Sequence, residues 1–74
     1  MEVFVEPFKE NEPGDHVLAA IAALEQAGLE PDMGPFATTT SGDLETIAAA
    51  LSALTTKSFT AGASKIRIQL ERQP

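Results

Sequence analysis

The chain has no cysteine, no tryptophan and no tyrosine, a single histidine, and five basic residues against eleven acidic ones. Without cysteine there is neither a disulfide nor a thiolate metal site. One histidine excludes a multi-histidine zinc site. The shortage of Lys and Arg leaves a net charge of -6. An acidic surface repels phosphate backbones, which argues against nucleic acid as a partner. No apolar run approaches the ~20 residues that span a bilayer, which argues against a membrane. The opening residues, MEVFVEPFKE, show neither the basic start nor the long apolar centre of a secretory signal. The expected location is cytoplasmic.

What is present is short. A chain of 74 residues is expected to form a single domain, residues 1–74. A domain of this size buries only ~60% of the surface its unfolded chain exposes. Much of the apolar 43% is alanine, so the core is thinner still. Small chains of this kind lean on staples, metals or partner subunits. With the first two excluded, self-association is the expected support.

Hydrophobic periodicity sets the element order. Residues 2–8, EVFVEPF, alternate as a strand, with Val3 and Val5 on one side and Phe4, Glu6 and Phe8 on the other. A polar KENEPGD loop follows. A helix is predicted from residue 14 or 15 to 27, with Asp15 as N-cap, a buried stripe of Val17, Ala20, Ile21 and Leu24, and Gly28 as the C′ glycine. Residues 29–35, with two prolines, suit an edge strand. A turn near Gly34–Pro35 leads to a further strand over 36–41. A second helix is predicted over 43–61, capped by Asp43 or Ser41, with Leu44, Ile47, Ala48, Leu51 and Leu54 as its stripe and Gly62 as its stop. SKIRIQLE then alternates strictly, and the RQP tail is expected to fray.

The order β-α-β-β-α-β predicts an α+β, ferredoxin-like fold: a four-stranded antiparallel sheet with two helices on one face and the first and third strands central. Val3, Val5, Ile66, Ile68 and Leu70 are expected beneath the helices. Phe4, Glu6, Phe8, Lys65, Arg67 and Gln69 are expected on the bare face, joined by Thr38 and Thr40, with Thr39 turned to the helices. Phenylalanines on a bare face point to its burial by a second copy, as a homodimer or homotetramer. Glu6 has two readings there: a ligand's counter-charge, or a cross-strand partner for Arg67.

The stretches VEPF, PGDHVLAAIAALEQAGLEPDMGPFATTTSGDLETI and GASKIRIQLE together resemble the thiamine-binding protein family, the YkoF-like group of small ferredoxin-like domains. The shared pattern is an opening strand, a helix ending in AGL, a GP-x-x-T-x-x-x-G hairpin, a second helix, and GA-x-[KR]-[IV] entering the last strand. The resemblance covers nearly the whole chain. It implies a non-enzymatic binder that assembles through its sheet, with thiamine or its pyrimidine precursor hydroxymethylpyrimidine as ligand. Thr38 and Gly42 match the hairpin pattern. Thr40 and Ser41 depart from it, standing where bulkier residues are frequent.

Thiamine carries a permanent thiazolium charge and a flat aminopyrimidine. Its site needs an anionic wall, a flat apolar surface and hydrogen-bond partners. Glu6 is the candidate for the charge, and Phe8 or Phe36 for the surface, cations favouring aromatic faces by ~0.5–2 kcal/mol. Thr38 and Thr40 are candidates for hydrogen bonds, and Gly34 and Gly42 for close backbone approach. Each has a structural reading as well: β-propensity for the threonines, turns for the glycines, core for Phe36, a helix cap for Asp43. No cofactor or metal is expected. A catalytic role for His16 would require a partnering nucleophile or second acid, and none is evident. The acidic KENEPGD loop suits no phosphate chemistry, so catalysis is not expected. The competing reading is a structural or regulatory homo-oligomeric module without a ligand.

Overall fold

The computed structural model describes residues 1–7, 14–34 and 37–72. Phe8, the 9–13 segment, Pro35 of the predicted turn, Phe36 and the last two residues lie outside them. The elements run β1 (Glu2–Glu6), α1 (Asp15–Gln26), β2 (Asp32–Met33), β3 (Thr38–Thr39), α2 (Leu44–Thr60) and β4 (Lys65–Gln69). They build one four-stranded sheet in the order β2-β3-β1-β4, every neighbouring pair antiparallel. This is the ferredoxin-like α+β arrangement, with β1 and β3 central.

Helix ends follow local chemistry. The N-cap of α1 is Gly14, without a side-chain bond, so Asp15 sits inside the first turn rather than capping it. There the carboxylate still favours the helix dipole. Asp43 caps α2, its carboxylate accepting the Thr46 N–H at 3.1 Å. Both helices close alike. Gly28, at φ 89°, lets Leu29 N–H reach the Leu24 carbonyl, and Gly62, at φ 112°, lets Ala63 N–H reach the Ser58 carbonyl. These left-handed turns need glycine.

Hydrogen bonding from Thr46, its side chain foremost, holds the Asp43 pKa below the ordinary 3.8. A carboxylate lowered in the folded state stabilises above its unfolded pKa of ~3.9 and loses that contribution as pH falls through the folded value. Asp43→Asn is therefore expected to flatten the fall of the thermal midpoint on acidification, measured by circular dichroism.

The core comprises Val3 and Val5 from β1, Val17, Ala20, Ala23 and Leu24 from α1, Leu29, and Ile47, Ala50 and Leu54 from α2. In α1 the stripe falls as expected, with Ile21 packed at its margin and Ala23 added. In α2 it falls on Ile47, Ala50, Leu54 and Ser58. Leu51 is half-buried, whereas Ala48 is exposed and Leu44 is 75% exposed. Leu44 opens the helix, ahead of the turns that pack on the core. Ser58 is fully buried, and its Oγ has no hydrogen-bond partner among the described residues. An unmatched hydroxyl carries its desolvation penalty uncompensated. Ser58→Ala is expected to raise stability by up to ~1 kcal/mol, seen as a higher urea midpoint at unchanged slope.

One expectation about the sheet faces is reversed, and another holds only in part. Thr38 pairs with Val3 on β1 and with Met33 on β2, so it shares Val3's helix-facing side and is 8% exposed. Thr39 pairs with Glu2 and is exposed on the bare side. Thr40 is buried as well, its N–H bonded to the Met1 carbonyl and its hydroxyl donating to the Glu30 carbonyl at 3.3 Å. A one-residue shift in register turns every side chain over. At β4 the facing is as expected but the cover is incomplete: Ile66 packs against the core, whereas Ile68 and Leu70 are 38% and 55% exposed. The helices do not reach the far end of that edge strand. β2 and β3 are also shorter than their sequence segments, two residues each.

Candidate functional site

The bare face is built by β-alternation. Glu2, Phe4 and Glu6 leave β1 on this side, and their partners on β4 are Gln69, Arg67 and Lys65. Thr39 and Asp32 extend the Glu2 row toward the opposite edge. The centre of the face is a compact group. The Arg67 guanidinium carbon lies 4.6 Å from the centroid of the Phe4 ring. The same guanidinium, through Nε, stands 4.0 Å from Glu6 Oε2. Both partners of that pair are solvated, with side chains 60% and 43% exposed, so the pair contributes little to folding, ~0–1 kcal/mol.

Chemically, such a group can seat a flat cation. A ring face offers the negative lobe of its quadrupole, and a carboxylate beside it supplies the formal charge. The protein's own guanidinium, planar and delocalised, occupies the seat. Register alone brings the three together: Phe4 and Arg67 are direct partners, and Glu6 is one diagonal step away.

The residues singled out in the sequence do not gather at one place. Glu6 belongs to the bare face. Thr38 and Thr40 lie beneath the helices. Gly34 stands where the β2–β3 hairpin closes, its N–H bonded to the Ala37 carbonyl at 2.9 Å. Gly42 lies in the β3–α2 loop, where a Cβ would come 2.6 Å from Leu29 Cδ2, so glycine is there for packing. Phe8 and Phe36 are outside the described residues. Phe4, Arg67 and Thr39 share the bare face with Glu6 instead. Phe4 and Arg67 were legible as bare-face residues, and their contact follows from the β1–β4 register.

Gly42 also lines an open cleft of about 460 Å³ at the end of the sheet. Its apolar lining is Met1, Leu44, Ile47 and Leu70, and its polar lining Ser41, Glu71 and Arg72. The volume suits a small ligand, but no aromatic ring among the described residues lines it, and its acid is matched by a base. His16 Nε2 contacts the Pro7 carbonyl, tying the start of α1 to the end of β1. Among the described residues no group of acids and histidine is placed to hold a metal ion, and no helix is long and apolar enough to cross a membrane.

A family model described as "Thiamine-binding protein" matches residues 1–72. Comparison with curated proteins and with solved structures gave no match.

Proposed function

From the premise that the chain belongs to the thiamine-binding protein family, we propose that it binds thiamine or a related pyrimidine, without catalysing a reaction, on the bare face of its sheet. The observation that carries this reading is the Arg67 guanidinium seated over Phe4 beside Glu6. A thiazolium is also flat and cationic, and it suits the same ring and carboxylate. Glu6 is the counter-charge, Phe4 the stacking surface and Thr39 a hydroxyl partner in the next strand. Arg67 swings aside to admit the ligand, since its side chain is mostly solvated.

A flat face encloses little by itself. A second copy docking over it, in a homodimer or homotetramer, turns the seat into a pocket at the subunit interface. Gly34, Thr38, Thr40 and Gly42 then serve the hairpin and core that hold the face in shape. Phe8 and Phe36 remain candidate walls on sequence grounds alone. The second reading is an assembly module without a ligand, and the same observation favours it: Arg67 already satisfies Phe4 and Glu6.

Titration calorimetry with thiamine, hydroxymethylpyrimidine and an unrelated cation of equal charge separates the two. Saturable heat with thiamine or the pyrimidine, and none with the unrelated cation, is the expected result. No heat with any of them contradicts ligand binding and leaves the assembly module as the function.

A further inference from the structure

The cleft at the end of the sheet has no part in the reading above. Ile47, a core residue, places it on the helix side, away from the face that carries Phe4, Glu6 and Arg67. The fold holds its walls in place. The Met1 amino group donates to the Thr40 carbonyl at 2.8 Å, and the Thr40 N–H donates to the Met1 carbonyl at 3.0 Å. The Asp43 cap fixes the first turn of α2, and with it Leu44. Leu29 and Ile47 fill the space against Gly42. Leu44 and Leu70 are 75% and 55% exposed. One exposed leucine needs no explanation. Here two of them converge with Met1 and Ile47 on a single concavity of about 460 Å³, a size that small-molecule sites have.

Charge narrows the occupant. Glu71 and Arg72 both line the cleft, and among the described residues neither has an ion-pair partner. One acid and one base cancel, so the cleft suits a ligand that is neutral overall yet carries both charges. Arg72 opposes a net cation such as thiamine, and Glu71 opposes a simple carboxylate. The two residues are consecutive, with Cα atoms ~3.8 Å apart, so the charges that they meet are close together as well. An ammonium and a carboxylate on one carbon meet that condition, whereas the two ends of a peptide do not.

We propose that this cleft binds a free α-amino acid with an apolar side chain. Arg72 takes the carboxylate, for which its planar fork is suited, and Glu71 takes the ammonium. The Ser41 hydroxyl donates to the carboxylate from the opposite wall. The ligand's side chain lies on Met1, Leu44 and Leu70, whose exposed apolar surface it covers.

L-Leucine is the probe, followed by amide chemical-shift mapping on the full chain. Saturable shifts are expected at Ser41, Gly42 and Leu44, with Phe4 and Arg67 unmoved. Isocaproate is leucine without the ammonium, and isopentylamine is leucine without the carboxylate. Each is expected to bind ~5–30-fold more weakly than leucine. Glycine, which lacks the apolar side chain, is expected not to saturate. Arg72→Gln is expected to erase the difference between leucine and isopentylamine, and Glu71→Gln that between leucine and isocaproate. Leu44→Ser is expected to weaken leucine binding with little change in thermal midpoint, because Leu44 lies outside the core. No shifts with leucine, shifts at the bare face instead, either analogue binding as tightly as leucine, or a preference that survives both charge substitutions each overturn the proposal. No thiamine enters the experiment, so its outcome is independent of the function proposed for the bare face.

Discussion

Leu54→Ala leaves most of the chain unfolded at physiological temperature. Leu54 is 0% exposed and lies midway along α2, within the core shared with α1 and the sheet. Truncating a fully buried leucine costs ~2–5 kcal/mol, from lost transfer energy and the cavity left behind. At ~0.05–0.15 kcal/mol per residue, a chain of 74 residues has ~4–11 kcal/mol in all. The low end applies here, because three of the ten core positions among the described residues are alanines, Ala20, Ala23 and Ala50. Such a core has few large side chains able to collapse into the void. Circular dichroism is expected to show a shallow or absent thermal transition for Leu54→Ala. Retention of a transition within a few degrees of the parent would mean that the core is more tolerant than its packing implies.

Glu6→Gln weakens thiamine binding by ~5–30-fold, corresponding to ~1–2 kcal/mol for a lost charge-assisted contact discounted for solvent screening. Its effect on stability stays within ~1 kcal/mol, since the Arg67 pair it breaks is solvated. Arg67→Gln acts in the opposite direction. It vacates the Phe4 ring, so binding tightens while Glu6 remains in place. Calorimetry on the two variants reads this opposition of sign. A purely structural role for both residues would give no such opposition, because each substitution removes the same ion pair.

The fold was legible because its signals were local and mutually consistent. Gly28 and Gly62 ended the helices where left-handed closure required them, Asp43 capped α2, and Val3 and Val5 alternated with Phe4 and Glu6. Facing was less legible wherever it depended on the closure of a hairpin. Whether Thr38 or Thr39 faces the helices turns on the β1–β3 register, which sets Thr38 against Val3, and a threonine run has no apolar alternation to fix it. Ile68 and Leu70 looked buried because the strand alternates. Alternation reveals which residues share a face but not how far the covering helices extend. The site suffered from the same cause. Glu6 was visible as an acid among apolar neighbours, whereas its association with Phe4 and Arg67 required the β1–β4 register.

Recognition of ligand at the bare sheet face, as proposed, can be followed residue by residue. Amide chemical-shift mapping by NMR during a thiamine titration tests it most directly. Progressive, saturable shifts are expected at Phe4, Glu6 and Arg67, with Ser41, Gly42 and Leu44 unmoved. Shifts confined to those last three, around the end cleft, or none anywhere at saturating thiamine, would contradict it.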